Sequence, residues 1–493
     1  MNDINALLAA IRLSMSVESA EISKAFTQSS SPTTGATYYD LEPGAKYLQP
    51  EVTPFSNRLA RVKGNGGTQA NWKAVTKVNN PSIGWGVSEG NRAPVIGTTL
   101  VDYAAIYKSI GLEDSLTREA DLAAEGWEDL KTLVIRGLWT ATKTQEEKII
   151  IGGNSTIALG TTPTPTLTTA TTGGSLAALT YSVICVAMTL EAYTRATIAG
   201  GVPISATRTL ADNTTEAHND GTAQKSTAAT QATTGVTSVL SASVAVVNGA
   251  VAYAWYIGVG GSELLAAITT INSVLITAAA TGTQNASAGF TADKSINNKV
   301  FDGLFTQAVA SGSGAYIKTM ATGTSGTGTP LTGSGNGTIT EFEEVFRYFW
   351  DNLRLSPTRI QVNAQEMDNI RNKALAQVST SARRIEFAMT PGGVMAGTSV
   401  ASYVNTYAIG GPKIVPIEIH PDIPPGTILF VTEALPYPMA GIANVLQMKM
   451  RQDYYVESWA RVTRKDTFGV YCSGVLQNYY PASLAIIRNV GNG

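Results

Sequence analysis

Charge and reactive side chains are scarce in this sequence. Charged residues make up 15% of the 493 positions, against about a quarter in an ordinary soluble domain. The net charge of −2 leaves no electrostatic footprint for nucleic acid. Two cysteines, Cys185 and Cys472, stand far apart. They form no disulfide framework and suit a reducing cytoplasm. The most apolar run, Leu176–Leu190, is too short to span a bilayer. The opening MNDINALLAAIRLSMS lacks the basic n-region and cleavage site of a signal peptide. Its Ile4, Leu7, Leu8 and Ile11 fit a short amphipathic helix instead. A soluble, non-secreted protein is expected.

Catalytic motifs are missing too. There is no Gly-x-Ser-x-Gly elbow, no Walker A sequence and no Cys-x-x-Cys. His420, in IHPDIPPG, sits at a strand end before prolines and reads as a structural or surface residue rather than a base. His218 lies in the polar stretch Ala211–Gly221 beside Asp212, Glu216 and Asp220. A cation would find donors there, but no metal-ligand spacing recurs, and a solvated loop is favoured. Glu341, Glu343 and Glu344 fall in a first helical turn, where the helix dipole accounts for them. Arg383-Arg384 and Arg461/Arg464/Lys465 are small basic clusters, suited to nucleic acid, to a partner's carboxylates or simply to water. No residue is singled out as catalytic, cofactor-binding or metal-binding, and nothing argues for an enzyme.

Thr, Ser, Ala and Gly fill the space that charge leaves. The stretch Thr117–Ile151 stands out. Ala123, Trp127, Leu130, Val134, Leu138 and Ala141 recur at spacings of three and four, the mark of one helical stripe. Thr117 is an N-cap type, and Glu119 and Asp121 put negative charge in the first turn. The spacing predicts a spine helix of about 50 Å that ends at Gly152-Gly153.

Before this spine, residues 1–60 read as an extended arm without a core. Residues 68–112 alternate as a long two-stranded ribbon. Trp72, Ala74, Thr76 and Val78 share one face, and Thr99, Val101, Tyr103, Ala105 and Tyr107 share another, around a Gly/Pro/Asn-rich tip with Trp85. After the spine, Thr161–Thr172 reads as a Thr-Pro linker. Strand patterns follow: Leu240–Val247, an Asn248-Gly249 turn and Ala250–Gly258 predict a hairpin, with Ile268–Thr277 a further strand. With Trp255 at its centre and linkers at both ends, 159–290 is expected to be an inserted immunoglobulin-like sandwich with its own core. Thr340 and Glu343 predict a capping box for a helix carrying Phe342, Val345, Phe346, Phe349, Trp350 and Leu353. Asn363 and Glu366 cap a second helix, and strands at 402–407, 413–419 and 427–432 complete an α+β domain. Strands at 445–450, 454–461, 467–476 and 484–490 are expected to pair beside the spine.

The order of arm, ribbon, spine helix, α+β domain and returning strands resembles the major capsid protein of tailed bacteriophages, the Hong Kong 97-type fold. The likeness is carried by YLQPEVTPFSNRL (47–59), the ribbon 72–110, the spine 117–151, FDGL (301–304) and LSPTRIQVNAQEMDN (355–369). It implies an N-terminal arm at 1–60, an extended loop at 61–112, a peripheral domain from 113–158 and 441–493, and an axial domain at 291–440. The segment 159–290 departs from the minimal pattern and is expected to face outward. The resemblance also implies a self-assembling virion subunit, in hexamers and pentamers, forming an icosahedral head shell in the host cytoplasm. Further partners would be decoration proteins, a scaffold encoded apart, a portal, and double-stranded DNA met on the inner face without sequence specificity. No cofactor and no membrane are implied. Trp72, Trp85, Tyr103, Tyr107, Trp127, Leu130, Val134, Trp255, Phe346 and Trp350 are the candidate assembly and packing residues.

Two other readings stand beside this one. A phage or bacterial adhesion or tail protein would work through its immunoglobulin-like segment, and a hydrolase would need a site with very few histidines. A binding module has no need of an arm and a ribbon that lack cores of their own.

Overall fold

A computed structural model describes residues 46, 48–78, 86–125, 128–204, 206–287, 289–334, 337–376, 389–390, 393–394, 400–436, 441–461 and 463–491. The expectations for the N-terminal helix, Trp85, Trp127 and Arg383-Arg384 fall outside these residues. The chain divides into two units, 1–49 with 119–130, and 50–118 with 131–493.

The second unit opens with helix α1 (Pro54–Arg58) and strand β1 (Ala60–Lys63). The ribbon follows as β2 (Gln69–Lys77) and β3 (Thr99–Ile106), antiparallel, with Trp72 opposite Tyr103. β4 (Lys108–Thr117) leads to a short helix α2 (Arg118–Ala123), which lies mostly in the first unit and carries Glu119 and Asp121 in its first turn. The spine itself is α3 (Leu130–Gly152), 23 residues and about 35 Å. The single helix expected from residue 117 is thus two helices, with Ala124-Glu125 and Glu128-Asp129 outside both. The sequence carries the reason. Gly126 is a poor helix former and Asp129 an N-cap type, so a stop and a restart lie beneath the apolar spacing.

The expected stripe on the spine is also corrected. Leu138 is buried and Leu130 and Val134 are half-buried, but Ala123 and Ala141 are exposed. The buried face continues from Leu138 through Thr142 and Glu146 to Ile149 and Ile150. Two carboxylates, Glu146 and Glu147, therefore lie where apolar residues are expected.

Residues 159–290 hold β5 (Thr166–Ala170), β6 (Thr180–Met188), helix α4 (Leu190–Arg195), β7 (Ala206–Thr209), β8 (Thr215–His218), β9 (Ala229–Ala232), β10 (Val239–Ser243), β11 (Ala252–Gly258), β12 (Leu264–Thr269) and β13 (Ser273–Ile276). They form a three-stranded sheet, β13-β10-β5, and a four-stranded sheet, β12-β11-β6-β9, with β7-β8 apart. Trp255, Cys185, Val183 and Leu240 share the core that both sheets contribute to. A second apolar cluster, with Val186, Tyr256 and Phe290, covers the other face of β6 and β11. That double cover explains the unbroken apolar run of β6. The expected hairpin around Asn248-Gly249 is not one, because β10 and β11 belong to different sheets. A type I′ turn needs positive φ at both central residues; Gly249 has it (+85°) and Asn248 does not. The expected strand 268–277 is likewise two strands, β12 and β13, one in each sheet. The Thr-Pro stretch is no free linker. It contains β5, and the buried Thr162 donates its hydroxyl to the Gln224 carbonyl (2.9 Å) and accepts the Ala187 N–H (3.0 Å).

Beyond residue 290 come α5 (Leu304–Val309), β14 (Tyr316–Thr319), α6 (Thr340–Tyr348) running into a π turn, β15 (Arg359–Val362), α7 (Ala364–Ala376), the short pair β16 (Met389–Thr390) and β17 (Gly393–Val394), then β18 (Ser402–Asn405), β19 (Lys413–Ile419) and β20 (Thr427–Val431). Three strands end the chain: β21 (Leu446–Ser458), β22 (Lys465–Asn478) and β23 (Ala485–Arg488). β1-β21-β22-β4 make one sheet; β14-β23-β20-β15-β19-β18 make another. The last strand therefore pairs with β14 and β20 and not with β22, while its Ile486 packs in the cluster that holds Ile149–Ile151 of the spine. α6 starts at Thr340 without a side-chain cap. Glu343 accepts the Tyr403 hydroxyl and Glu341 accepts the Thr332 N–H, so both are taken up elsewhere and no capping box forms. Asn363 does cap α7, through the Gln365 N–H (3.1 Å).

Candidate functional site

The candidate residues chosen from sequence do not converge on one place. Trp72 and Tyr103 stack at the ribbon base with ring centroids 5.8 Å apart. Tyr107 is buried among residues of α1, β21, β22 and the spine. Trp255 lies in the core shared by the two sheets of residues 159–290. Phe346 is fully buried in the core of the six-stranded sheet, and Trp350 is half-buried with the Arg354 guanidinium 5.2 Å above its ring. Leu130 and Val134 are half-buried at the start of the spine. Each marks a local packing point.

A different group does converge. Glu146 and Glu147 are adjacent on α3, so they point about 100° apart, and both are wholly buried. Pro54 opens α1 without an N–H to satisfy, which leaves Phe55 and Ser56 as the orphan donors of the first turn. The Glu147 carboxylate accepts both, at 2.8 and 2.7 Å. It caps a helix that is about ninety residues away in sequence. His420, also fully buried, completes the carboxylate at 2.7 Å. Its Nδ1 accepts the Asp422 N–H (3.1 Å), so the ring proton sits on Nε2 and is donated to Glu147.

Glu146 faces the other way. Its Oε2 accepts the Ser56 hydroxyl (2.8 Å) and the Tyr454 hydroxyl (2.7 Å), and it pairs with Arg61. Arg61 also reaches Asp453 (2.8 Å) and lies over the Tyr454 ring (4.7 Å). Burial works against the guanidinium charge, but Glu146, Tyr454 and Asp453 outweigh it and hold the Arg61 pKa above its usual value. Burial first, and Glu146 second, push the Tyr454 hydroxyl far up and the neighbouring Cys472 thiol up to about 12. That thiol is inert.

A half-exposed layer surrounds this core. Arg58, at the end of α1, pairs with Glu418 (2.9 Å) and Glu433 (3.4 Å). Arg359 pairs with the same two carboxylates, and the Gln361 amide donates to Glu418 (2.6 Å). α1 and β1 are therefore gripped by the spine at one end, by β21 at the other, and by the six-stranded sheet through Arg58. β1 adds to β21 in parallel, in a sheet that is otherwise antiparallel.

The far end of the spine is closed by FDGL. Gly303 donates to the Gly153 carbonyl (2.8 Å), and Asp302 accepts the N–H and hydroxyl of Ser155. A Cβ on Gly303 would lie 2.5 Å from the Ile149 carbonyl oxygen, so only glycine fits that approach.

The arrangement is a buried hydrogen-bond lock between α1, the spine and β21. Both carboxylates and His420 are sealed from solvent, with both Glu147 oxygens and Glu146 Oε2 met by donors and Glu146 Oε1 left without one. His218 is not in a loop but ends β8, with Nε2 3.2 Å from Glu191 and 3.4 Å from Asp220. Among the described residues no group of three or more His, Cys, Asp or Glu is placed to hold a metal. No described helix is long and apolar enough to cross a membrane. Sequence reading missed Glu146, Glu147, Arg61 and Tyr454. The available signal was a pair of acids near a helix C-terminus, where the dipole disfavours them unless they are partnered.

No family model matches the chain, and no curated protein sequence matches it. Solved structures do. The capsid of a native GTA particle is 8% identical over 95% of this chain and 100% of that one, with a TM-score of 0.43. The capsid of cyanophage A-1(L) is 11% identical over 92% and 97%, also at 0.43. The holo-SrpI encapsulin of Synechococcus elongatus is 8% identical over 92% and 93%, at 0.39.

Proposed function

We propose that the chain is a self-assembling subunit of a tailed-phage head shell, structural rather than catalytic. The observation that carries this is the ribbon. Its base is anchored, with Trp72 and Ala105 against the main core. Beyond the base it exposes Val75, Val78 and Leu100, and the tip adds Val87, Val95 and Ile96. A two-stranded hairpin with exposed aliphatics is marginal by itself and suits a surface on another subunit. The order of ribbon, spine, mixed sheet and returning strands agrees with that reading. Hexamers and pentamers enclosing a genome in a virion are its finer form.

The insertion is read as immunoglobulin-like. The order β12-β11-β6-β9 in one sheet and β5 beside β10 in the other match that sandwich. Tyr253, at the start of β11, accepts the Val247 N–H six residues upstream (3.0 Å), in the manner of a tyrosine corner.

The test is the chain expressed alone and imaged in negative stain. Closed shells or rings are expected. Deleting 79–97 should leave a folded, soluble subunit that no longer closes. Normal particles from that deletion, or a wild-type chain that stays monomeric at high concentration, would sink the proposal.

A further inference from the structure

Arg58, Arg61 and Arg359 each hold a carboxylate. Arg488, half-buried on β23, holds none among the described residues. Its Nε donates to the Thr319 hydroxyl (2.9 Å) and its Nη1 to Asn248 Oδ1 (3.4 Å), and both partners are neutral. Burial pulls the guanidinium below the usual arginine pKa, and Tyr253 offsets this only in part. Arg61 and Arg359 move the other way, because their carboxylates outweigh burial. A charge taken out of water is normally paired.

Beside Arg488 lies a cavity of about 30 Å³, where the Asn248-Gly249 turn meets the end of the spine, α5, β20 and β23. One water needs about 10–15 Å³, so there is room for two or three waters or for one small oxyanion. No carboxylate lines the space, but free donors do. Thr427 stands opposite Arg488 in the β20–β23 ladder, so their side chains share one face of the sheet. The Thr427 hydroxyl and the Gly249 N–H have no hydrogen-bond partner among the described residues. Two other lining hydroxyls, Thr189 and Thr306, are already committed to the carbonyls of Gly221 and Gly153.

We infer that this cavity is a site for a small oxyanion, a phosphate or a carboxylate, held by the Arg488 guanidinium, the Thr427 hydroxyl and the Gly249 N–H. The ion supplies the negative charge that Arg488 lacks. It also ties the turn at Gly249 to the six-stranded sheet, because its donors come from both. Anything that binds the folded chain and not the unfolded one stabilises the fold by mass action.

The test uses the full chain in chloride buffer, titrated separately with inorganic phosphate and with acetate at constant ionic strength. Calorimetry should show saturable binding of a single ion per chain, and the melting temperature should rise along the same curve. The tighter of the two ions tells whether the pocket takes a tetrahedral or a planar oxyanion. Phosphate also strengthens the burial of any fold by exclusion from its surface, but that effect does not saturate and would survive in every variant. Arg488→Met removes the charge at similar length and should abolish saturable binding. Thr427→Val removes only the hydroxyl and should weaken it roughly tenfold, the size of one hydrogen bond to a charge. No saturable binding of either ion to the wild-type chain overturns the inference, and so does an affinity that Arg488→Met leaves unchanged. If Arg488→Met does not fold, unchanged affinity in Thr427→Val overturns it instead.

Discussion

Glu147 and Glu418 are both acceptors with several donors, but burial separates their energetics. Glu147 is fully buried and holds three donors, two of them backbone N–H groups that nothing else among the described residues caps. Hydrogen bonds to a buried charge are worth about 1.5–3 kcal/mol, and a donor left unmet costs a similar amount. Glu147→Gln turns an amide donor toward one of those N–H groups. It should lower unfolding stability by about 2–4 kcal/mol in denaturant titration. Glu418 is more than a quarter exposed and solvent screens its pairs, so Glu418→Gln should cost less than about 1 kcal/mol. Equal losses would show that the buried lock is no stronger than the outer ring. The pH dependence differs too. Burial would raise the Glu418 pKa, but Arg58, Gln361 and Arg359 outweigh it and hold it below the usual value. As pH falls, the unfolded chain then takes up the proton first. The stabilisation is full above the ordinary carboxylate pKa of about 4.3 and is lost below it. The stability gap between wild type and Glu418→Gln should therefore shrink between pH 6 and pH 3, and a gap that stays constant would refute the pairing. None of this was legible in the residues taken singly. Nothing in the spacing singles out Glu146 and Glu147, because periodicity counts apolar residues and cannot see donors that arrive from about ninety positions away.

Elements were legible where one physical rule governed them. The ribbon alternates because one face of its base is covered, and β3 keeps that pattern with Val101, Tyr103 and Ala105 half-buried between exposed neighbours. The core side of α6 follows its spacing, with Phe342, Val345, Phe346 and Phe349 fully buried. Errors arose where two rules competed. Apolar spacing ran through Gly126 and merged two helices. Asn248-Gly249 has the dipeptide of a hairpin turn, but a single positive φ serves equally well to carry a chain from one sheet to the other. The FDGL segment has a physical job, because Gly303 lets the chain pass against the last turn of the spine. Gly303→Ala should force backbone against backbone there and cost about 1–3 kcal/mol. Melting within a degree of wild type would mean that the spine end can yield.

At the scale of the molecule, the segment 159–290, expected as an inserted domain, is where expectation and structure differ most. A domain hung on linkers should be removable, and replacing 159–290 with a Gly/Ser linker would then leave the body intact. The structure argues otherwise. Leu190, just after β6, is 2% exposed and belongs to the main core with Ile149, Ile150 and Phe301. Tyr193 and Val251 also pack against that core. On the opposite flank the turn between β12 and β13 meets the C-terminal strand. The Asn272 N–H donates to Asn489 Oδ1 (2.8 Å), and Asn489 Nδ2 donates to Asn272 Oδ1 (3.0 Å). Asn489 holds a left-handed φ of +64° in that position. Removing the insertion would uncover Ile149–Ile151 and strand a buried amide, each a penalty of the size that a marginal fold feels. The replacement is therefore expected to reduce soluble yield and lower the melting temperature of the remaining body. Trp255→Ala offers a milder probe, since it empties the insertion's own core at a cost of about 3–5 kcal/mol while leaving Leu190 and Asn272 in place. If the two parts are thermodynamically one, this change should shift a single unfolding transition. Two resolved transitions, with only one moved by Trp255→Ala and a linker-replaced body that melts like wild type, would show that the contacts across Leu190 and Asn272 add nothing and that the insertion stands alone.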